Sequence, residues 1–324
     1  MENFTKYNIQ FWRFFSCTCV FMVHFGQRIG VEGTLKRIAD FGAQGVYMFF
    51  IISGYLIANS MTQYGKNNVM LFIKKKLMKL LPLYYIVITY YFIMHTFVFR
   101  DVPQDPTGLG WIRYIIPLNG ILPKTNTYFW DNLGITWTIP YFGFAYFLLP
   151  ICLRYIKTYK GAVVLLLVSI IACQMVPMFH GWMTVVKGLI YFCEGVCVFF
   201  FCEDHKEHIA YIFLNLLFLM CVVIGNLSSM AYSLMFMCMI LATNGIEIKS
   251  ILLKKFLAIS DKYSYTLYLI HGIIFIHILD RQCWGRKYEA IIAIVGSIVL
   301  SYFVHMYLEC PLQKKLNSFL HESK

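Results

Sequence analysis

The sequence predicts an all-α fold, a polytopic integral membrane bundle of about ten transmembrane helices with both termini cytoplasmic. Three observations predict it. The 324 residues are 59% hydrophobic and only 14% charged, where a soluble domain carries about 25% charged residues. So little polar surface would not cover a water-facing exterior. The apolar residues fall in ten continuous runs, each near the ~20 residues that a helix needs to cross the hydrocarbon. Lys and Arg are divided unevenly between alternate connections, as membrane orientation requires.

The runs lie at residues 10–28, 43–62, 77–99, 136–155, 161–179, 184–202, 209–225, 229–246, 263–280 and 288–310. In lipid every backbone polar group must be satisfied internally, so such runs form helices. A β-barrel is excluded because the runs are continuous and do not alternate. With the N-terminus inside and ten spans, the inside segments hold 17 Lys and Arg and the outside segments 10. One domain, 1–324, is expected. The N-terminus is not a cleavable signal peptide, because its apolar run contains Arg13 and His24.

The net charge of +12 would suggest nucleic acid in a soluble protein. Here the basic residues sit between apolar spans, so the expected partner is membrane lipid with anionic head groups and no nucleic acid. Cysteine chemistry is also not indicated. The 11 Cys form no CxxC pair, and most lie inside apolar runs, where a free Cys behaves as a small hydrophobe. Neither a disulfide framework nor a metal site is expected. The longest connection, Arg100 to Ile135, carries Pro103, Pro106, Pro117 and Pro123 with Trp111, Tyr128 and Trp130. It fits a functional loop or an aromatic belt at head-group level.

Polar residues inside spans are costly and usually mark a cavity, a pathway or a site. Arg13 and His24 stand eleven residues apart in the first run. Eleven helical steps bring both to one face, about 16 Å apart along the axis. There Arg13 can hold an anion or a backbone carbonyl, and His24 can act as a general base. Equally, Arg13 can snorkel to the interface while His24 is a satisfied structural imidazole. In the second run Ser53 stands beside Gly54. No GxSxG context surrounds it, so close helix packing is favoured over a nucleophile.

Lys74, Lys75, Lys76 and Lys79 precede the third run. Lys75, Lys76 and Lys79 share part of one helical face. They suit a positive-inside lipid anchor or a phosphate clamp for a cytosolic donor such as coenzyme A. Trp137, Thr138 and Pro140 open the fourth run, where the Trp alone would be interfacial. In the ninth run Ser264, Tyr268 and His271 fall on one face, for interhelical hydrogen bonding or a polar interior stripe. His305 and Glu309 are placed to pair, and Pro311 is expected to end the last helix.

In order along nearly the whole chain, these segments resemble the acyltransferase-3 family of multispanning acyltransferases. Arg13 and His24 match its R-x10-H pattern. GVYMFFIISGYLI, KKKLMKLLPLYY, WTIPYFGFAYFLLP, SYTLYLIH and LECP resemble its later blocks in turn. The resemblance implies a membrane O-acyltransferase that moves an acyl group, usually acetyl, from cytosolic acyl-CoA to a hydroxyl of a surface glycan or its lipid-linked precursor. Arg13 and His24 are then the catalytic pair, with His24 as base or as transient acyl carrier. Lys75, Lys76 and Lys79 would hold the donor, and Ser53, Tyr268, His271 and Glu309 are further pocket candidates. Acetyl-CoA is a co-substrate, no cofactor is tightly bound, and the location is the bacterial inner membrane.

The chain departs from the family at two places. Many members carry a Glu in the fourth-span block where this chain has Phe142 followed by Gly143. Lysines replace the arginines of the basic block, which removes bidentate phosphate recognition. No appended SGNH-type hydrolase domain is expected, so transfer would finish within the membrane domain or with a partner. The rival reading is a transporter or exporter of a glycan or small solute, which fits the spans and their polar residues equally well. A third is a structural subunit without chemistry.

Overall fold

The computed structural model describes residues 6–64, 68–100, 112–117, 121, 135–179, 183–204, 228–244, 246–279 and 286–322. Every regular element among them is helical. In chain order these are α1 (Lys6–Ile29), α2 (Gly33–Phe41), α3 (Gly45–Tyr64), α4 (Val69–Ile93), α5 (Ile112–Ile115), α6 (Thr138–Leu153), α7 (Tyr159–Met175), α8 (Val185–Asp204), α9 (Ser229–Ala242), α10 (Ile251–Ile278), α11 (Arg286–Val304) and α12 (Cys310–Glu322).

Six segments among the described residues are long and apolar enough to cross a membrane: Gly33–Gln63, Val69–Phe99, Ile135–Leu153, Tyr159–Met178, Val185–Cys202 and Tyr288–Ser318. Of the other predicted runs, α9 is apolar but only 14 residues long. The run 209–225 lies outside the described residues. α1 and α10 are long, at 24 and 28 residues, but fall outside the apolar set. These two carry Arg13, His24, Asp261 and His271.

Burial separates the crossing helices. In Val185–Cys202, 78% of the apolar window is buried, against 17% in Tyr159–Met178. α8 is therefore central and α7 peripheral. On α7 the exposed side chains Val164, Leu167, Val168, Ile171 and Met175 recur at helical spacing, a stripe suited to lipid.

Two helix pairs hold the interior. α3 and α8 run parallel, with Tyr47 against Tyr191, Phe50 against Phe192 and Tyr55 against Phe199. Their backbones meet where glycine is required. A Cβ on Gly54 would overlap the Phe192 carbonyl, and one on Gly195 would overlap the Ile51 carbonyl. The expected close approach at Ser53–Gly54 is thus realised, with Gly195 as the unforeseen partner. α1 and α10 also run parallel. Asn8 donates to the Thr243 and Ile246 carbonyls and Trp12 to the Thr243 hydroxyl, all ahead of α10, and Phe21 packs edge-on to Phe275 further along.

Helix starts follow side-chain caps. Thr158, Ser228 and Ser250 each accept a backbone N–H from three residues on, at 3.3–3.4 Å. Ser250 starts α10 twelve residues before the predicted 263, so the helix runs about 42 Å, beyond the hydrocarbon. α4 likewise begins at Val69, which makes Lys74–Lys79 part of the helix and not a flank. Within the long connection, Tyr84 and Tyr85 donate to the carbonyls of Tyr114 and Ile115 at 2.7 and 2.8 Å. That short piece folds back onto α4. Trp111, Tyr128 and Trp130 lie outside the described residues.

Pro311 does not end the last helix. A wider π turn, His305–Glu309, follows α11, and the chain continues directly as α12 with Pro311 at its second residue. Proline lacks an N–H and crowds the carbonyl four residues back, so a widened turn followed by a fresh helix start accommodates it.

Candidate active site

A pocket open to the exterior lies between α1, α3, α4, α6 and α10. Its cations come from distant parts of the chain: Arg13 from α1, and Lys76 and Lys79 from α4. Its walls are largely aromatic, with Phe49, Phe50, Phe142, Tyr146, Tyr265 and Tyr268. Ser53 lies in the α3 wall. The Lys76 ammonium stands 5.3 Å from the Phe72 ring and 5.9 Å from the Tyr146 ring, near enough for cation–π attraction to hold it at the wall.

Arg13 forms an ion pair with Asp261 of α10, and each side chain is about one quarter exposed. The pairing offsets the Arg13 charge where hydration is reduced, and the guanidinium still has donors to spare. Of the two readings for Arg13, the structure places it against a cavity and not at a lipid-facing interface. Asp261 is a site residue that sequence reasoning missed. It lies one turn before Ser264 on the same face of α10, and the predicted span began at 263.

His24 does not line the cavity. It packs one layer further along the same seam, with its ring 5.5 Å from that of His271. His271 is buried, and its Nδ1 donates to the Leu267 carbonyl at 3.1 Å. The His24 Nδ1 and the His271 Nε2 are both buried without a hydrogen-bond partner. An imidazole left in that condition can accept a proton from, or donate one to, an incoming group. His271 therefore joins the site through His24 and not through the cavity wall. Tyr268 connects the two places. It lines the cavity, its ring lies 6.2 Å from His271, and its hydroxyl donates to the Ile135 carbonyl at 2.9 Å. Ser264 also lines the cavity, so the predicted Ser264–Tyr268–His271 stripe does face inward.

Two candidates fall elsewhere. Lys75 projects to an adjoining polar cleft with Gln313 and Asn317, because one residue step turns a helix by about 100°. Glu309 is buried in the α10–α11 interface. It accepts from Thr266 Oγ1 at 2.5 Å and Gln313 Nε2 at 2.9 Å, and pairs with His305 Nδ1 at 2.8 Å. The expected His305–Glu309 pair is present, and its satisfied carboxylate locks the π turn instead of facing the cavity. Trp137 packs edge-on to Phe50 and Tyr141 at the start of the Ile135–Leu153 span.

Among the described residues, no group of three or more His, Cys, Asp or Glu is placed to hold a metal ion. Phe142 lies in the cavity wall.

No curated protein and no solved structure matches the chain. The acyltransferase-domain family does match it, over residues 6–306. The ordered blocks, the inward-facing stripe and a match over nearly the whole length agree: the chain belongs to the acyltransferase-3 family and is a membrane acyltransferase.

Proposed function

We propose that this protein is an O-acyltransferase of the bacterial cytoplasmic membrane. It moves an acyl group, acetyl in the first instance, from cytosolic acyl-CoA to a hydroxyl of a surface glycan or its lipid-linked precursor. No tightly bound cofactor is needed. The hydroxyl oxygen attacks the thioester carbonyl carbon, the C–O bond forms and the C–S bond breaks. The hydroxyl proton passes to His24, and from it to the departing sulfur, which leaves as the free thiol of coenzyme A. The alternative is a carrier route: the His24 nitrogen attacks the thioester carbon, the C–N bond forms as the C–S bond breaks and coenzyme A leaves as its thiol. The hydroxyl then attacks the acyl-imidazole, the C–O bond forms as the C–N bond breaks, and the hydroxyl proton returns to the imidazole.

One observation carries the reading. Arg13, Lys76 and Lys79, from distant parts of the chain, converge on one cavity whose Tyr268 wall leads to His24 and His271, each with one ring nitrogen left without a hydrogen-bond partner. A polyanionic donor with a flexible thioester arm suits cations at one end and an imidazole at the other.

We place both termini in the cytoplasm, with ten crossings. The direction of the paired helices supports this. Arg13 meets Asp261 and His24 meets His271, so α1 and α10 run the same way. Parallel helices need an odd number of crossings between them. α3, α4, α6, α7, α8 and α9 number six, and the predicted 209–225 crossing brings the total to seven.

The test is turnover of acetyl-CoA by the purified protein with a glycan acceptor, comparing wild type and His24→Ala. Loss of turnover in a variant that still elutes as a single species is expected. Unchanged turnover would remove His24 from the chemistry.

A further inference from the structure

At the junction of α11 and α12 the fold places a thiol, an imidazole and a carboxylate in line. The Cys310 Sγ stands 3.1 Å from His305 Nε2, and His305 Nδ1 stands 2.8 Å from Glu309 Oε2. The carboxylate is itself fixed, by Thr266 Oγ1 at 2.5 Å and Gln313 Nε2 at 2.9 Å. A carboxylate only accepts, so Nδ1 carries the ring proton and Nε2 turns its lone pair toward the thiol. Nucleophile, base and orienting acid are thus joined in the order that activates a thiol for acyl transfer. His305 and Glu309 are buried, whereas Cys310 is only partly buried.

The π turn creates this geometry. In a regular α-helix, residues five apart point about 140° away from each other. A π turn closes at i to i+5, which brings Cys310 over His305 while Glu309 stays on the same side. Such widened turns are frequent at functional sites. Residue spacing gives no hint of the arrangement, because it exists only where the helix departs from regular α geometry. The family match ends at residue 306, so Cys310 lies beyond it. The triad also borders the site described above. Gln313 lines the cleft between α4 and α12, and Lys79 lines both that cleft and the main cavity.

We propose that Cys310, His305 and Glu309 form a second acyl-accepting centre, at which an acyl thioester becomes an S-acyl-cysteine. The Cys310 sulfur attacks the thioester carbonyl carbon while its proton passes to His305 Nε2. The new C–S bond forms and the C–S bond to coenzyme A breaks. The proton then goes from His305 to the departing sulfur, which leaves as the free thiol. Glu309 orients the ring and offsets the imidazolium charge, and Thr266 and Gln313 hold Glu309 in place. The proposal rests on the acyl-CoA reading above for the identity of its donor.

The test uses the purified full chain without acceptor. It is incubated with acetyl-CoA and, separately, with S-acetyl-N-acetylcysteamine, a thioester that lacks the nucleotide. Peptide mass mapping then reads acetylation at Cys310 and its removal by neutral hydroxylamine, which cleaves thioesters. Wild type should acquire a hydroxylamine-labile acetyl group on Cys310 from both donors, faster than on the partly buried Cys152. His305→Gln should slow acetylation of Cys310 about 100-fold, and Glu309→Gln should slow it by a smaller factor. Buried Cys193 should stay closed to maleimide in both variants, which separates a lost base from a lost fold. Acetylation of Cys310 no faster than of Cys152, or equal rates in wild type and both variants, would overturn the proposal. Glycan acylation by a protein that never acquires acetyl on Cys310 would remove this centre and leave the enzyme reading standing. Acetylation of Cys310 from the cysteamine thioester, without glycan acylation from any CoA thioester, would leave this centre standing and refute the enzyme reading.

Discussion

The two parallel seams of the bundle are built on opposite principles. Between α3 and α8 the backbones approach at Gly54 and Gly195, with Phe50 stacked on Phe192 and Tyr55 edge-on to Phe199. Between α1 and α10 the Arg13–Asp261 pair and the His24–His271 contact are interleaved with aromatic packing of Phe14 on Phe256 and of Phe21 and Phe25 on Phe275. The first seam is set by backbone approach. The second is set by side chains, and it places an ion pair and two imidazoles inside the bundle. Burial among aromatic neighbours lets a membrane bundle carry ionisable residues away from lipid.

Substitutions on each seam sharpen the contrast. The largest expected effect is on the α3–α8 seam. Gly195→Val adds atoms where a Cβ already overlaps the Ile51 carbonyl and stands 2.7 Å from the Tyr55 nitrogen. About 3 kcal/mol of stability should be lost, read as a lower unfolding temperature and lower abundance in the membrane. A stable Gly195→Val variant would mean that the two backbones do not meet there.

On the α1–α10 seam, Asp261→Asn leaves Arg13 charged without its counter-ion. Because both side chains are partly solvated, the loss should be about 2 kcal/mol, below the range for fully buried pairs. The double change Arg13→Met/Asp261→Met should recover stability but not activity. Recovery of both would reduce the pair to a structural role.

The smallest effect is expected at the cavity mouth. Lys79→Ala should raise KM for acetyl-CoA about fivefold, near 1 kcal/mol, with kcat little changed, because a point charge on phosphate contributes mainly to ground-state binding. A fall in kcat of the same size with KM constant would place Lys79 at the reacting centre instead.

Much of this was legible in the amino-acid order. Arg13 and His24 were read as sharing a face, and both do turn toward one neighbour, α10. Ser264, Tyr268 and His271 were read as an interior stripe, and the stripe does face the cavity and the imidazole of His24. Other features were hidden for definite physical reasons. Asp261 was missed because hydropathy began α10 at 263, whereas the Ser250 cap starts it at Ile251. Pro311 was read as a stop because a proline breaks regular α geometry, yet a π turn absorbs it. Lys75 and Lys76 are sequence neighbours but serve different spaces, which no count of basic residues distinguishes.

By itself the order of residues determined that the chain is built of long apolar helices and that Arg13 with His24, and Ser264 with Tyr268 and His271, share a helical face, because helical period and apolar length are local properties. Tertiary structure alone decided that Arg13 answers to Asp261, that His24 stands against His271 outside the cavity wall, and that α12 closes a second cleft around Lys75 and Lys79. Those pairings depend on which helices lie together and how closely, and that is set by the fit of whole surfaces such as the Gly54–Gly195 crossing, not by any one segment.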